Sequence, residues 1–122
     1  MKYLCLAYEA EATFKRMPRA EWDAVREETL TYVQALRQSG HLVDARALRS
    51  ASSAVTLKVR DGRLLVTDGP FIETKEQLGG FFLVEARDFD EAIQIAARWP
   101  GARYGEIELR PVEEGLPEDA RY

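Results

Sequence analysis

The sequence predicts an α+β fold with the ferredoxin-like βαββαβ order of elements and one extra β-hairpin. Two observations lead to this fold class. Apolar, β-rich runs alternate with two amphipathic helical segments, and Asp61-Gly62 separates two further β-rich runs. The chain has 122 residues, 46% hydrophobic and 31% charged, enough for one domain with a real core. We expect one domain over residues 1–112 and a polar tail over residues 113–122.

The first part of the chain predicts a strand, a long helix and a second strand. Lys2–Tyr8 is apolar at nearly every position, as in a central strand, and Glu9–Arg19 is interpreted as a charged loop. Leu42–Leu48 fits a short strand. Between them, Arg19–Ser39 carries apolar residues every three or four positions, the pattern of a helix with one buried stripe: Trp22, Val25, Thr29, Tyr32 or Val33, and Leu36.

The middle of the chain predicts the hairpin and then a third sheet strand. Ala54–Arg60 and Arg63–Thr67 flank Asp61-Gly62, a strong signal for a tight turn because glycine adopts positive φ without steric cost. The segment over residues 68–80 is interpreted as irregular. Gly79-Gly80 then opens onto Phe81–Ala86, which is apolar enough for a strand.

The last part predicts a second helix and a closing strand. Asp88 and Glu91 have capping-box spacing. Glu106–Val112 alternates polar and apolar residues, as in a strand with one face in water. In the helix, the expected apolar face consists of Phe89, Ala92, Ile93, Ala96 and Trp99.

Composition excludes several classes of function. The net charge of −4 comes from charges mixed along the chain, which disfavours direct nucleic-acid binding because that requires a positive surface. The chain shows neither a secretory signal nor an apolar stretch of membrane-spanning length, so we expect a cytoplasmic protein. The single cysteine, Cys5, lies in an apolar run and is expected to be a buried hydrophobe.

The element order also predicts the oligomeric state. A ferredoxin-like sheet carries both helices on one face and leaves the other bare. A largely apolar sheet face is unstable in water, and a second copy of the same chain is the simplest cover. We therefore expect a homodimer.

One segment resembles a known family. Residues 66–82 read Val-Thr-Asp-Gly-Pro-Phe-Ile-Glu-Thr-Lys-Glu-Gln-Leu-Gly-Gly-Phe-Phe. This block is similar to the signature of the Asp-Gly-Pro-Phe branch of the YCII-related proteins. The flanks agree from the opening Lys-Tyr-Leu-Cys-Leu-Ala-Tyr to Glu108-Leu109-Arg110-Pro111, so the resemblance covers about residues 1–112. It implies the family's dimeric ferredoxin-like fold, an α/β-barrel-type assembly.

The resemblance also implies candidate chemistry. Some YCII relatives are thought to use a His–Asp pair in a cleft, and one branch is a dehydrochlorinase that acts on a chlorinated hydroxyquinol. Asp68 corresponds to the acidic member of that pair. The only histidine, His41, follows Gly40 at the end of the first long helix, later than the family position. Family members are also often linked with extracytoplasmic-function sigma factors.

The candidate site residues each have a structural and a functional interpretation. Asp68 either stabilises a rigid turn or contacts a ligand at a cleft edge. In the second case, Glu73, Lys75 and Glu76 lie beside it. If their segment is extended, Glu73 and Lys75 lie on one face and Glu76 on the other. His41 is either an acid or base or a cation at a helix end. Tyr8 and Arg110 could bind the same ligand, or serve as a core tyrosine and an edge-strand salt bridge.

Two classes of function follow from these residues. The first is a small-molecule lyase or hydrolase for a polar aromatic or cyclic compound, with Asp68 in a cleft near the dimer interface. The second is a non-catalytic binding or regulatory module associated with sigma factors. No set of residues has the spacing of a metal or nucleotide site, so no metal and no cofactor is predicted.

Overall fold

The computed structural model describes all of residues 1–122 and has the predicted α+β architecture. Short 3₁₀ turns cover Ala51–Ser53, Pro100–Arg103 and Pro117–Asp119. The regular elements, in chain order, are β1 (Lys2–Glu9), α1 (Glu11–Arg16), α2 (Arg19–Gln38), β2 (Leu42–Ala47), β3 (Val55–Arg60), β4 (Arg63–Asp68), β5 (Gln77–Glu85), α3 (Phe89–Ala97) and β6 (Glu106–Pro111).

The main sheet has four strands in the order β2-β5-β1-β6, and every neighbouring pair is antiparallel. With the hairpin set aside, this is the strand order of the ferredoxin-like split βαβ fold, so the predicted fold class is confirmed. The amphipathic stripe of α2 and the capped start of α3 are confirmed as well. The Asp88 carboxylate accepts a hydrogen bond from the Glu91 amide at 2.9 Å.

The core lies between the sheet and the two long helices. Tyr3 and Cys5 of β1 and Phe82 and Val84 of β5 are almost fully buried there. Trp99, after α3, stacks on Phe82 with ring centroids 3.7 Å apart. The helices contribute Leu36, Ala92, Ile95 and Ala96.

Burial of Cys5 is confirmed and removes its reactivity. The residue has no exposed surface, and burial raises the pKa of its thiol to about 12. The reactive thiolate is therefore absent at neutral pH.

Three details of the predicted elements are wrong. Part of the predicted loop after β1 is helical: α1 has Glu11 in its first turn and Lys15 and Arg16 in its last, which suits the helix dipole. Strand β5 begins at Gln77 and runs through Gly79 and Gly80. In α3 the buried residues are Ala92, Ile95 and Ala96, whereas Phe89 and Ile93 remain substantially exposed.

The predicted hairpin is confirmed and stands apart from the main sheet. Strands β3 and β4 pair only with each other. The turn uses positive φ at Asp61 (51°) and Gly62 (73°), as a primed turn requires. At its base, the Gly69 amide donates to the Ala54 carbonyl at 2.7 Å and the Thr56 hydroxyl donates to the Gly69 carbonyl at 2.9 Å.

The side of the main sheet away from α2 and α3, termed here the open sheet face, has an apolar centre and charged edges. Because Tyr3 and Cys5 point into the core, alternation turns their neighbours on β1 to the other side. Leu4 and Leu6 pair with Leu83 and Phe81 of β5. The edges carry the ion pairs Asp44–Arg46, on β2, and Glu108–Arg110, on β6.

No helix of the structure has the length and apolar character needed to cross a membrane.

Candidate active-site cleft

A cleft of about 560 Å³ opens between the sheet and the N-terminal half of α2. Its floor is the end of β1 and the start of β5. Its walls are α1, α2 and the loop after β2. Small-molecule sites in proteins have volumes of roughly 300–1,000 Å³, so this cleft is large enough for a compact ligand. The two halves of the apolar stripe of α2 therefore have different surroundings. Leu36 lies in the core, whereas Trp22, Val25 and Thr29 line the cleft.

The most distinctive side chain of the cleft is Glu9. It is the last residue of β1 and lies on the same face as Tyr3 and Cys5, so its carboxyl group points to the helix side of the sheet. Partial burial raises the pKa of the Glu9 carboxyl above its ordinary value, and the nearby Glu11 carboxylate raises it further.

Gly79 makes room for that carboxyl group. A side chain at position 79 would come within 2.6 Å of the Glu9 carboxyl carbon. The glycine that looked like a strand break in the sequence is therefore a point of close approach inside a strand. Its neighbour Gly80 is more tightly constrained, because a Cβ there would lie 2.8 Å from the Arg46 carbonyl oxygen, which is part of the backbone of β2.

The neighbouring acid, Glu11, has a different environment. Its carboxylate accepts hydrogen bonds from the Ala51 amide at 2.7 Å and the Ser50 hydroxyl at 2.9 Å. These bonds, the amide first, lower the pKa of the Glu11 carboxyl. Glu11 therefore stays ionised and holds the loop after β2 against α1, which fixes one wall of the cleft.

Aromatic and cationic side chains complete the lining. Both tryptophans of the chain, Trp22 and Trp99, line the cleft, as does Phe14. The cations are Lys15, Arg26 and Arg49, and none of the three forms a salt bridge, whereas Arg19, Arg46 and Arg103 each pair with a carboxylate.

The structure places Asp68 away from this cleft. Asp68 ends β4, is exposed, and lies opposite Val55 at the base of the hairpin. The turn that it begins is held by the Ala54 and Thr56 contacts to Gly69, not by its carboxylate. The role of Asp68 at a ligand stays a prediction.

The other predicted residues of the same segment are also exposed. Residues 71–76 form no strand, so the expected alternation of Glu73, Lys75 and Glu76 does not apply. The segment is held instead by Gln77, whose side-chain amide donates to the Ile72 and Thr74 carbonyls at 2.9 Å.

Tyr8 and Glu76 come together on the other side of the sheet. Tyr8 follows Leu4 and Leu6 on the open sheet face and pairs with Glu106 of β6. The contact with the Glu76 side chain raises the pKa of the Glu106 carboxyl. Arg110, on the same strand, binds Glu108 at 2.7 Å, the edge-strand salt bridge that the sequence suggested as an alternative.

His41 lies at the opposite end of β5 from the cleft. Its amide donates to the Leu36 carbonyl at the end of α2, and its carbonyl accepts from the Glu85 amide. The ring contacts the Ser39 hydroxyl through Nδ1 at 2.7 Å and the Glu91 carboxylate through Nε2 at 3.3 Å. It thus links α2 to the capped start of α3 and does not contact Asp68.

Sequence reasoning missed Glu9, although a signal was present. The alternate positions Tyr3, Cys5 and Ala7 are all apolar, and the same alternation puts a glutamate next on the inner face. A carboxyl group on the inner face of a central strand is a feature that a search for buried charge would find. The prominent Asp68 signature drew the prediction to the hairpin instead.

The fold and the cleft define a ferredoxin-like α+β domain with a cleft of ligand size on its helix-covered side. Comparison with known families is consistent with this class: residues 1–115 match the YCII-related domain model. The chain belongs to the YCII-related family.

Two individual proteins are similar to this chain. An uncharacterised protein of Rhizobium meliloti (strain 1021) is 32% identical over 114 residues, which cover 92% of each chain. The solved structure of 5-chloro-2-hydroxyhydroquinone dehydrochlorinase from Burkholderia phenoliruptrix, in complex with 2,5-dihydroxybenzoquinone, superposes with a TM-score of 0.53. That alignment covers 94% of this chain and 96% of the dehydrochlorinase at 16% identity, so it shows a shared fold.

Proposed function

We propose that this protein is a small-molecule lyase whose cleft binds a compact, anionic ring compound, and that Glu9 exchanges a proton with that compound. The observation that carries the proposal is a half-buried carboxyl group of raised pKa inside a cleft of ligand size. Perturbed acids in clefts mark candidate catalytic sites, because proton transfer is most efficient when the acid's pKa lies near the working pH.

The lining favours a ring compound. Trp22, Trp99 and Phe14 present three aromatic surfaces, and Trp99 is fixed by its stacking on Phe82. Aromatic side chains bind planar rings by stacking and edge contacts, which adds to the gain from burying apolar surface. A cleft of about 560 Å³ suits one ring with several substituents.

The charges favour an anion. Three cations, Lys15, Arg26 and Arg49, face two acids, Glu9 and Glu11, so the cleft lining carries a net charge of +1, or +2 when Glu9 holds its proton. The chain as a whole carries −4. Because the three cations have no salt-bridge partner, an anionic ligand can bind them without breaking an existing ion pair.

Glu9 has the properties of a proton-transfer group. In its ionised form it can remove a proton from the ligand, and in its neutral form it can donate one. In an elimination of HCl, the base takes a proton from the ring compound while the carbon–chlorine bond breaks with its electron pair on chloride. The activity for which the structural neighbour is named, dehydrochlorination, is a reaction of this type. The alternative of a sigma-factor-associated regulatory module receives no support from these matches.

We also propose that the protein is a homodimer joined through the open sheet face. The support is the apolar strip of Leu4, Leu6, Phe81 and Leu83, which no helix covers. A symmetric pair would bury this strip on both chains. In that arrangement the clefts lie on the outer, helix-covered sides of the dimer.

Intrinsic fluorescence tests the binding proposal, because both tryptophans line the cleft. Titration with 2,5-dihydroxybenzoquinone, an anion at neutral pH, should quench the signal saturably, while free tryptophan amide shows only linear quenching. The neutral 2,5-dimethoxybenzoquinone should bind at least tenfold more weakly. Arg49→Gln should weaken binding of the anion about tenfold, whereas Arg16→Gln, outside the cleft, should not. Absence of saturable quenching at millimolar ligand would refute the proposed site.

Chloride release from 5-chloro-2-hydroxyhydroquinone tests the proposed chemistry. We expect the wild type to release chloride. The rate in Glu9→Gln should be at least about 100-fold lower, which is the usual loss when a general acid or base is removed. The matched control is Glu108→Gln, on the open sheet face, which should keep the wild-type rate. An equal rate in Glu9→Gln would contradict the role of Glu9 even if the ligand binds.

A further inference from the structure

The β3–β4 hairpin has one face on which five exposed aliphatic side chains are covered by no other element of the chain, with a single charged residue, Asp68, opposite Val55 at its base. Directly opposite residues of an antiparallel pair point to the same side of a sheet. Leu57 therefore shares a side with Val66, and Val59 with Leu64. The hairpin's apolar face, as this side is termed here, consists of Val55, Leu57, Val59, Leu64 and Val66, exposed by 57%, 61%, 60%, 63% and 56%.

The other side of the hairpin is polar. The opposite pairs Thr56–Thr67 and Arg60–Arg63 lie there, together with Lys58, which faces Leu65. The hairpin thus has the alternation of a strand pair with one buried and one wet face. In the single chain, however, every hairpin residue other than Thr56 is exposed. An isolated two-stranded hairpin is marginally stable in water, so this pattern indicates an element that is covered in the working protein.

We propose that the hairpin's apolar face packs on the open sheet face of a second copy of this chain. The inference rests on the homodimer proposed above and specifies the hairpin as the part of the partner that covers the strip of Leu4, Leu6, Phe81 and Leu83. A second copy fits because the same chain carries both uncovered surfaces, each two strands wide and apolar: the hairpin's apolar face, and the strip along β1 and β5. In a dimer with a twofold axis, the hairpin of each chain can cover the strip of the other chain.

The available area supports this assignment. A buried aliphatic side chain removes on the order of 100 Å² of apolar surface from water. Five side chains that are each more than half exposed therefore offer on the order of 300 Å², below the roughly 800 Å² per partner of a standard interface. The hairpin alone is too small to hold a stable partner. A partner that covers the hairpin must therefore also contact other apolar surface, and the same chain offers the open sheet face and the neighbouring Phe71, which is 84% exposed.

Most charges at the edges of the open sheet face are neutralised within the chain. Asp44–Arg46 and Glu108–Arg110 are paired at 3.3 and 2.7 Å, whereas Glu106, beside Glu76, leaves negative charge at one end of the β6 edge. The cations of the hairpin lie on its polar side and remain in water when the apolar side is covered.

Sedimentation velocity on matched variants tests the proposal. The wild type should be a dimer at 10 µM. Leu57→Glu, on the apolar face, should raise the dimer dissociation constant at least tenfold, whereas Leu65→Glu, on the polar side of the same hairpin, should stay within about twofold of wild type. Leu6→Glu, on the open sheet face, should also dissociate the dimer. Circular dichroism of each variant checks that the main fold is intact.

The outcomes separate the two proposals. If Leu6→Glu dissociates the dimer but Leu57→Glu and Leu65→Glu behave alike, the hairpin assignment is wrong and the sheet-face dimer stands. A wild type that is monomeric at 100 µM overturns both. As a second measurement, isotope-filtered NMR on mixed labelled and unlabelled dimers should give intermolecular contacts between the methyl groups of Leu57 or Val66 and those of Leu4 or Leu83. A dimer without such contacts refutes the proposed packing of the hairpin on the partner.

Discussion

At the scale of single residues, two neighbouring glutamates have opposite environments. Glu9 is half-buried beside Gly79 with no bond that favours its ionised form, and the pKa of its carboxyl is raised. Glu11 accepts two hydrogen bonds from the loop after β2, and the pKa of its carboxyl is lowered. Two acids within three residues thus have separate tasks, one suited to proton transfer and one that shapes the cleft wall.

This difference predicts opposite pH dependences of stability. Because the folded-state pKa of Glu9 is raised, its contribution is present at low pH and is lost as the pH rises through that pKa. Glutamine imitates the neutral carboxyl group. The melting temperature of Glu9→Gln minus that of the wild type should therefore increase as the pH rises from 4 to 8.

Glu11→Gln provides the matched control. The folded-state pKa of Glu11 is lowered, so its contribution is present above the unfolded-state pKa and is lost as the pH falls. This variant should melt below wild type at pH 7, with a difference that shrinks towards pH 3. Parallel curves for the two variants would show that the environments assigned to the two glutamates are wrong.

Asp68 allows a separate prediction about the Asp-Gly-Pro-Phe turn. Its backbone is fixed by the Ala54 and Thr56 contacts to Gly69, so the carboxylate is not needed to hold the turn. Asp68→Asn and Asp68→Ala should both melt within about 1 °C of wild type, because an exposed side chain without partners contributes little to folding. A ligand role would appear instead as lost affinity or turnover in Asp68→Asn. A melting temperature several degrees lower in Asp68→Ala alone would indicate a structural turn.

At the scale of elements, the sequence is informative wherever structure depends on neighbours along the chain. The stripe of α2, the Asp88 cap of α3 and the Asp61-Gly62 turn are local patterns, and all three are confirmed. The start of β5 could not be predicted in this way, because Gly79 and Gly80 serve contacts with Glu9 and Arg46, which lie far away in sequence. In the sequence alone, a glycine pair indicates a break in a strand. It can be recognised as part of the strand only when the residues that pack against it are known.

The cleft was unpredictable for the same reason. A periodic stripe on a helix indicates burial, but it does not say that only the C-terminal half reaches the core. Whether Trp22 packs in the core or lines a cleft depends on α1 and on the loop that Glu11 holds in place. The family signature over residues 66–82 is visible in the sequence, but its Asp-Gly-Pro-Phe part lies away from the cleft, and only Gln77–Gly80 line the cleft.

At the scale of the whole molecule, three features lie on different surfaces. The cleft occupies the helix-covered side, the apolar strip of Leu4, Leu6, Phe81 and Leu83 occupies the open sheet face, and the hairpin forms a separate two-stranded sheet. This separation lets assembly and ligand binding be tested independently. Variants of the open face should change the mass of the particle, and variants of the cleft should change the response to ligand without changing that mass.

A crystal structure of the protein with 2,5-dihydroxybenzoquinone tests the central claim most directly. We predict that the ring lies in the cleft between Trp22 and Trp99, with a ligand oxygen about 2.6–3.2 Å from the Glu9 carboxyl group, the reach of direct proton transfer. At least one of Lys15, Arg26 and Arg49 should contact the anionic oxygens. A ligand bound on the open sheet face or against the hairpin, with the cleft left empty, would contradict the account.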